Sequence, residues 1–375
     1  MSRIPIANPD IGEREHERVA DVLDSGQLAD GPVVREFEGE FADYCGAAHG
    51  VATANGTAAL QTALEAAGIG AGDAVVTTPL SFVSSANAIR LCGARPVFAD
   101  IDERTYTLDP DAVEAAVAAR DDVAAILPVH LYGLPAEMGR LADIAREYDL
   151  ALIEDAAQAH GATYEGASVG TLGDAACFSF YPTKNMTTGE GGMVVTDDRE
   201  IADRAARFVN HGRADADEHG YQHVTVGHNL RLTSLAGGLG LAQLRKLPAY
   251  NARRRANAER LSAGLADVPE VTLPTEPAGR RHVYHQYTIR CTDRSALRSH
   301  LDDGGVDTAV YYPTLIPDQP AYDGFDPAVP TARRVVDEVV SLPVHPGLTD
   351  ADVETVVAAV ADHYGRPEAE VSADD

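Results

Sequence analysis

Ala124-Ala-Ile-Leu-Pro-Val129, then Pro135-Ala-Glu-Met-Gly-Arg-Leu-Ala-Asp-Ile-Ala-Arg-Glu-Tyr148, then Leu150-Ala-Leu-Ile153: a short apolar run, a helical stretch and a second apolar run. This order predicts the strand–helix–strand unit of a parallel sheet. The alternation extends outward, from about Gly50 to Val195. Upstream, the apolar runs are Gly50–Ala54, Ala74–Thr78 and Pro96–Ala99. Downstream, they are Ala175–Phe180 and Gly192–Thr196. Helical stretches Thr57–Ala67, Val83–Leu91 and Asp111–Ala119 separate the upstream runs. The predicted fold class is therefore α/β, a large domain with a mostly parallel mixed sheet flanked by helices on both faces. Such sheets place ligands at the carboxyl ends of their strands.

Ahead of the sheet, Glu13–Asp24 reads as a surface helix. After about Leu247 the character changes. A basic helical run, Asn251–Arg260, leads into a strand at His282–Arg290, a helix at Ala296–Gly304 and a terminal helix at Asp350–His363. A boundary near Pro248 divides the chain into residues 1–247, a large domain with an N-terminal helical arm, and residues 248–375, a small C-terminal α+β domain. The 375 residues suit such a division.

The formal net charge of -28 argues against nucleic acid or an anionic membrane as partner. The chain has only two lysines, Lys184 and Lys246; every other cation is arginine. An acidic surface nearly free of lysine resembles proteins from a high-salt, halophilic cytoplasm, where screening blunts self-repulsion. No basic segment followed by an apolar core opens the chain, so export is not expected and the cytoplasm is the expected compartment. Cys45, Cys92, Cys177 and Cys291 are widely spaced and suggest neither disulfides nor a metal site.

Gly68-Ile-Gly-Ala-Gly72 looks like a dinucleotide loop but follows a helix and precedes a strand, the reverse of the required order. It reads as a helix cap and turn. Gly237-Gly-Leu-Gly240 sits in a helical pattern and suits close helix packing. Asn55-Gly-Thr-Ala58 follows a strand and opens a helix; it is either an anion site or a plain N-cap. Asp155 ends an apolar strand. There it either holds a pyridine nitrogen protonated, as pyridoxal-phosphate chemistry requires, or caps the next turn. Lys184 lies in a loop after the apolar run ending at Phe180, while Lys246 looks like a surface residue. Arginine cannot replace lysine in imine chemistry because its guanidinium stays protonated. A lysine retained at 184 in a chain that elsewhere uses arginine therefore points to an amine with a chemical task.

These residues resemble the DegT/StrS family of sugar aminotransferases. The likeness is carried by Glu154-Asp-Ala-Ala-Gln-Ala-His-Gly161, Gly173–Asn185 and Gly189–Thr196. It continues in Ala54–Leu60, Thr78–Val83, Pro128–Gly133, Val226–Arg231 and Val283–Tyr287, all in family order. The resemblance implies the aspartate-aminotransferase fold (fold type I) with pyridoxal 5'-phosphate as cofactor. It implies that Lys184 carries the cofactor's aldehyde and acts as base and acid. Asp155 would hold the ring nitrogen, Gln158 the ring hydroxyl, and Phe82 the ring face. Gly56, Thr57, Ala58 and Ser179 would hold the phosphate. Asn229 would reach the neighbouring subunit's cofactor, which implies a homodimer.

The implied reaction moves an amino group from an amino acid, L-glutamate by expectation, to a nucleotide-diphosphate-linked 3- or 4-keto sugar, in amino-sugar or surface-polysaccharide biosynthesis. Relatives that dehydrate sugars typically carry histidine in place of the lysine, so Lys184 favours amino transfer over a sugar dehydratase. The complete set of Asp155, Gln158 and Lys184 argues against a non-catalytic PLP-binding regulatory protein. A nicotinamide oxidoreductase lacks a correctly placed glycine loop. His160 is left as either a sugar contact or a packed residue. Arg253, Arg254 and Arg255 are read as facing solvent or a partner, with a diphosphate contact as the alternative. At Tyr311–Tyr322 the sequence departs from the family pattern, with Pro317-Asp318 where a histidine is common; this bears on the choice of sugar.

Overall fold

The computed structural model describes residues 3–214 and 221–366. Its central sheet has seven strands: β1 (His49–Thr53), β2 (Ala74–Thr77), β3 (Arg95–Phe98), β4 (Val123–Leu127), β5 (Ala151–Asp155), β6 (Ala175–Ser179) and β7 (Gly192–Thr196). Their spatial order is β1-β7-β6-β5-β4-β2-β3. Pairs β2/β3, β2/β4, β4/β5 and β5/β6 are parallel, whereas β7 runs antiparallel to β6 and β1. The strands fall within two residues of the apolar runs read from the sequence. Every residue of β2, β6 and β7 is buried. Burial on both faces is why these segments read as continuous apolar runs.

Helices cover both faces. On one, α2 (Pro32–Cys45) and the start of α8 (Ser234–Leu265) pack Phe37, Phe41, Leu241 and Leu244 against Phe178 of β6. Beside them, α1 (Glu13–Ser25) lies along α8. On the other, α3 (Gly56–Ala66), α4 (Ser84–Leu91) and α7 (Arg199–Val209) bury Leu60, Leu64, Ile89 and Ile201 over Val75, Ile153 and Val194. Strand alternation sends the neighbouring Val76 and Leu152 to the opposite side, under α5 (Pro110–Ala118) and α6 (Met138–Glu147). The glycines of α8 serve close packing. A Cβ at Gly240 would lie 2.7 Å from the Phe37 ring, and one at Gly238 would lie 3.1 Å from Val22 Cγ2. Gly68 and Gly72 have φ of 87° and 104°, as a cap and turn require.

Pro248 lies inside α8, which continues unbroken to Leu265. Its second half supplies Ala258, Leu261 and Leu265 to another apolar core. That core also holds Tyr287 and Ile289 of β8 (Tyr287–Arg290), Leu297 and Leu301 of α9 (Arg294–Asp303), Val340 and Leu342 of β9 (Val339–Leu342), and Val353, Val356 and Val360 of α11 (Asp350–His363). The antiparallel pair β8/β9 is its only sheet among the described residues. The strand expected over His282–Arg290 is confined to Tyr287–Arg290. Residues 282–286 turn instead toward the large sheet, where Val283 and Gln286 donate to the carbonyls of Gly133 and Tyr132. Three helices, α2, α7 and α10 (Pro330–Glu338), had no counterpart in the sequence reading. All four cysteines are buried and unpaired. Among the described residues, no helix is long and apolar enough to cross a membrane.

Candidate active site

The carboxyl ends of β1, β5 and β6 carry the residues singled out from sequence. Asp155 is the last residue of β5 and is buried. Its Oδ2 accepts a hydrogen bond from Ser85 Oγ at 2.7 Å, and its Oδ1 accepts one from the Ala157 amide at 3.2 Å. Burial raises the Asp155 carboxyl pKa; the hydrogen bonds from Ser85 and Ala157, and the charge of Lys184, oppose that shift. Lys184 follows β6 by five residues and is half-buried. Burial lowers its amine from 10.5 to about 8, while Asp155 pulls it back upward. Among the described residues, Lys184 Nζ has neither a hydrogen-bond nor an ion-pair partner. The two groups therefore share one desolvated space, and each is the other's principal counter-charge.

Gln158 is buried, with Oε1 accepting from the Tyr132 amide at 2.7 Å and Nε2 donating to Tyr312 Oη at 3.3 Å. Phe82 is 53% exposed, and its ring lies 5.8 Å from that of Tyr312, tilted by 41°. Behind Asp155, the buried pair His130 and Glu154 fixes the strand end. His130 Nδ1 accepts from the Ala136 amide at 3.0 Å, so its Nε2 carries the proton that it donates to Glu154 Oε2 at 2.9 Å. Glu154 also accepts from the amides of Gly170, Leu172 and Gly173.

The turn from β1 into α3 forms a cradle. Asn55 caps α3, accepting from the Ala58 amide at 2.9 Å, so that amide is already engaged. The amides of Gly56 and Thr57 have no acceptor among the described residues. Thr57 Oγ1 lies 2.7 Å from Ser84 Oγ. A Cβ on Gly56 would come within 2.7 Å of Ser179 Cβ, so glycine is needed for β6 to approach this closely. Two free amides at a helix start, beside three hydroxyls, make a ready anion site.

Other expectations fare differently. Asn229 is exposed, bridged through its backbone to Asn210 rather than packed with the groups above. His160 is buried among Phe41, Phe178 and Phe180, with ring centroids 5.2–6.3 Å apart, and neither ring nitrogen has a partner. It is a packed residue, which resolves the alternative left by the sequence. The three arginines diverge. Arg253 pairs with Asp350 and Arg255 with Glu276, but Arg254 is buried. Lys246 is not simply a surface residue: it pairs at 2.8 Å with the buried Glu15. Asp318 turns away to Arg333, with both carboxylate oxygens engaged at 2.8–2.9 Å. The sequence reading missed Ser84, Ser85, Tyr132 and Tyr312. Only the serines left a signal there, as hydroxyls at a helix start just after Phe82-Val83.

The chain matches the DegT/DnrJ/EryC1/StrS aminotransferase family over residues 9–361. It is 41% identical over 352 residues to a dTDP-3-amino-3,4,6-trideoxy-alpha-D-glucose transaminase of Streptomyces venezuelae, covering 93% of this chain and 91% of that one. It is 40% identical over 356 residues to a pleiotropic regulatory protein of Geobacillus stearothermophilus, covering 92% and 94%. The structure of S. venezuelae DesV in complex with ketimine intermediate superposes with a TM-score of 0.94 at 38% identity, covering 98% of this chain and all of that one.

Proposed function

The chain belongs to the DegT/DnrJ/EryC1/StrS aminotransferase family, and from that premise we propose that it moves an amino group from an amino acid, L-glutamate first among candidates, to a nucleotide-linked keto-sugar, with pyridoxal 5'-phosphate as cofactor. The observation that carries this reading is Lys184: one of two lysines, half-buried, unpartnered at Nζ, lowered to about 8 and facing Asp155.

The residues fit the cofactor. The cradle of Gly56, Thr57, Ala58, Ser84 and Ser179 suits its phosphate, with Ala58 shaping the turn while Asn55 takes its amide. Asp155 suits the ring nitrogen, Gln158 the ring hydroxyl, and Phe82 the ring face. When bound, the cofactor's protonated ring supplies an electron sink for charge developing at the donor's α-carbon. Asp155 would hold the proton of that ring, and Ser85 favours the ionised form of Asp155 by donating to it. Lys184 Nζ takes the proton from the donor's α-carbon in the first half-reaction. In the second it delivers a proton to the sugar carbon that gains the amine. An amine near 8 is partly neutral at working pH, as a general base must be.

The reading includes a cytoplasmic, salt-adapted homodimer in which Asn229 completes the partner's site, and a division near Pro248 into a large cofactor-binding unit, 1–247, and a small C-terminal unit, 248–375. A regulatory role is favoured by nothing beyond the names of some relatives, the Geobacillus one among them. The intact trio of Asp155, Gln158 and Lys184 supports turnover.

The test is spectroscopic. In high salt, added pyridoxal 5'-phosphate should give a visible band that L-glutamate removes and a nucleotide-linked keto-sugar restores. A band indifferent to glutamate and glutamine defeats the aminotransferase reading. A band unchanged by Lys184→Arg defeats the assignment of the lysine.

A further inference from the structure

Tyr312 stands among the residues proposed for the cofactor ring, although 154 residues separate it from Gln158. Its Oη lies 3.3 Å from Gln158 Nε2, and its ring lies 5.8 Å from that of Phe82. Two contacts hold its stretch of chain against the large sheet. Tyr132 Oη donates to the Tyr311 carbonyl, and the Ile316 amide donates to the Pro79 carbonyl at 2.9 Å. Tyr312 is half-buried rather than sealed in the core.

The backbone fixes the direction of each hydrogen bond here. The Tyr132 amide can only donate, so the Gln158 atom that meets it at 2.7 Å is the carbonyl oxygen, Oε1. The other end of that side chain is therefore the NH2 group, which can only donate, so Tyr312 Oη accepts from it. The hydrogen of Tyr312 is left over. Among the described residues no acceptor meets it, and the second hydrogen of Gln158 Nε2 has none either. Asp155 takes its hydrogen bonds from Ser85 and Ala157, not from Tyr312. Burial, then the charges of Asp155 and the neighbouring Tyr311, push the Tyr312 phenol up against the pull of Gln158, so it keeps its hydrogen and acts as a neutral donor.

At 3.3 Å the bond between Gln158 and Tyr312 is a long one that a stronger acceptor displaces. Two donors at that separation can both reach one oxygen at about 2.8 Å, and an anionic oxygen gains most from them. We propose that Tyr312 is a cofactor-binding residue: its hydroxyl and the Gln158 amide together hold the ring oxygen of pyridoxal 5'-phosphate in its anionic form. This rests on the assignment of Gln158 to that oxygen and adds the second donor, delivered by the C-terminal part of the chain. The charge on the ring oxygen helps to keep a proton on Lys184 Nζ once that nitrogen is joined to the cofactor. Two donors draw off part of this charge, so Lys184 Nζ gives up its proton at lower pH.

The test is a pH titration of the holoenzyme's visible band, without substrate. Tyr312→Phe keeps the ring and removes the hydroxyl; it should raise the midpoint of the spectral change by about one pH unit. 3-Fluorotyrosine placed at position 312, a more acidic phenol of nearly the same shape, should move the midpoint the other way. A change that merely disturbed packing would not reverse sign between the two. Should the phenylalanine variant fail to hold the cofactor, the fluorotyrosine shift decides by itself. A wild-type protein with no band, or with a band that L-glutamate leaves untouched, defeats the aminotransferase reading. A wild-type band that responds to glutamate, with a Tyr312→Phe midpoint at or below the wild-type value, overturns the role of Tyr312 alone. So does a fluorotyrosine midpoint that stays or rises, or a wild-type band that keeps its protonated form at every pH.

Discussion

Ser85→Ala removes one hydroxyl from the wall of the site and nothing from the chemistry, which makes it a sharp probe. Ser85 Oγ donates to Asp155 Oδ2 at 2.7 Å in a fully buried setting. The only other donor to this carboxylate among the described residues is the Ala157 amide, at 3.2 Å. A hydrogen bond to a charged group contributes about 1.5–3 kcal/mol. Its loss leaves Asp155 with one weaker partner, and burial then drives the carboxyl further toward its neutral form. A neutral Asp155 no longer holds a protonated ring nitrogen. At about 1.4 kcal/mol per tenfold, pyridoxal 5'-phosphate should bind roughly tenfold to a hundredfold more weakly. The fold should survive, because alanine suits the first turn of α4 as well as serine does. Cofactor affinity is measured by titrating cofactor-free protein and following the visible band. An affinity within about twofold of wild type, with the melting midpoint unchanged, refutes the chain of reasoning from Ser85 through Asp155 to the cofactor.

Amine labelling of the cofactor-free protein, read by intact mass, should modify Lys184 half-maximally at about pH 8; a half-point near the ordinary 10.5 refutes the desolvated site. The sign for stability follows: from about 8 to 10.5 the unfolded chain keeps this proton and the native chain has lost it, so the Lys184 contribution rises with pH across that window. Gly56→Ala sets a Cβ 2.7 Å from Ser179 Cβ. It should cost about 1–3 kcal/mol of stability by overpacking, together with cofactor affinity, and a denaturation midpoint at the wild-type value would contradict the close approach. Equal mixtures of Lys184→Ala and Asn229→Ala subunits, each inactive alone, should regain about a quarter of wild-type activity if each site draws on both subunits of a twofold dimer; no recovery after subunit exchange counts against it.

The central sheet was legible because its strands are buried on both faces and therefore read as uninterrupted apolar runs, β2, β6 and β7 most clearly. Asp155 and Lys184 were legible as polar residues at or just beyond the ends of such runs. The partners that tune them were not. Ser85, Tyr132 and Tyr312 stand 70, 23 and 157 residues from Asp155 by their numbering, and no local pattern encodes which serine or tyrosine will fold against it. Arg254 shows the same limit from the other side. Flanked by Arg253 and Arg255, it reads as one of three solvated cations. Only the position of α8 against residues 284–285 decides that the middle one is buried. The strand read over His282–Arg290 failed for a related reason: apolar and aromatic residues at 283–287 fit a strand, but the backbone of 283–286 bonds to the Tyr132 turn instead.

Asp155 and Lys184 make sense as a pair whose state changes with occupancy. Alone in the desolvated site, burial pushes the carboxyl toward its neutral form and the amine toward its own, and each opposes the other's shift by remaining charged. On the proposed reading, a protonated ring nitrogen beside Asp155 replaces the charge of Lys184 as the carboxylate's partner. That frees Lys184 from its electrostatic duty at the moment its nitrogen is needed as a base. Arginine in place of Lys184 would break this logic, since a guanidinium keeps its proton at any working pH and would hold Asp155 permanently. The same reasoning explains why a chain that otherwise relies on arginine retains a lysine here. Aspartate is required opposite it because an amide could neither hold the lysine's charge in the empty site nor the ring's proton in the filled one. The exchange of partners, rather than either residue alone, is what the carboxyl ends of β5 and β6 bring together.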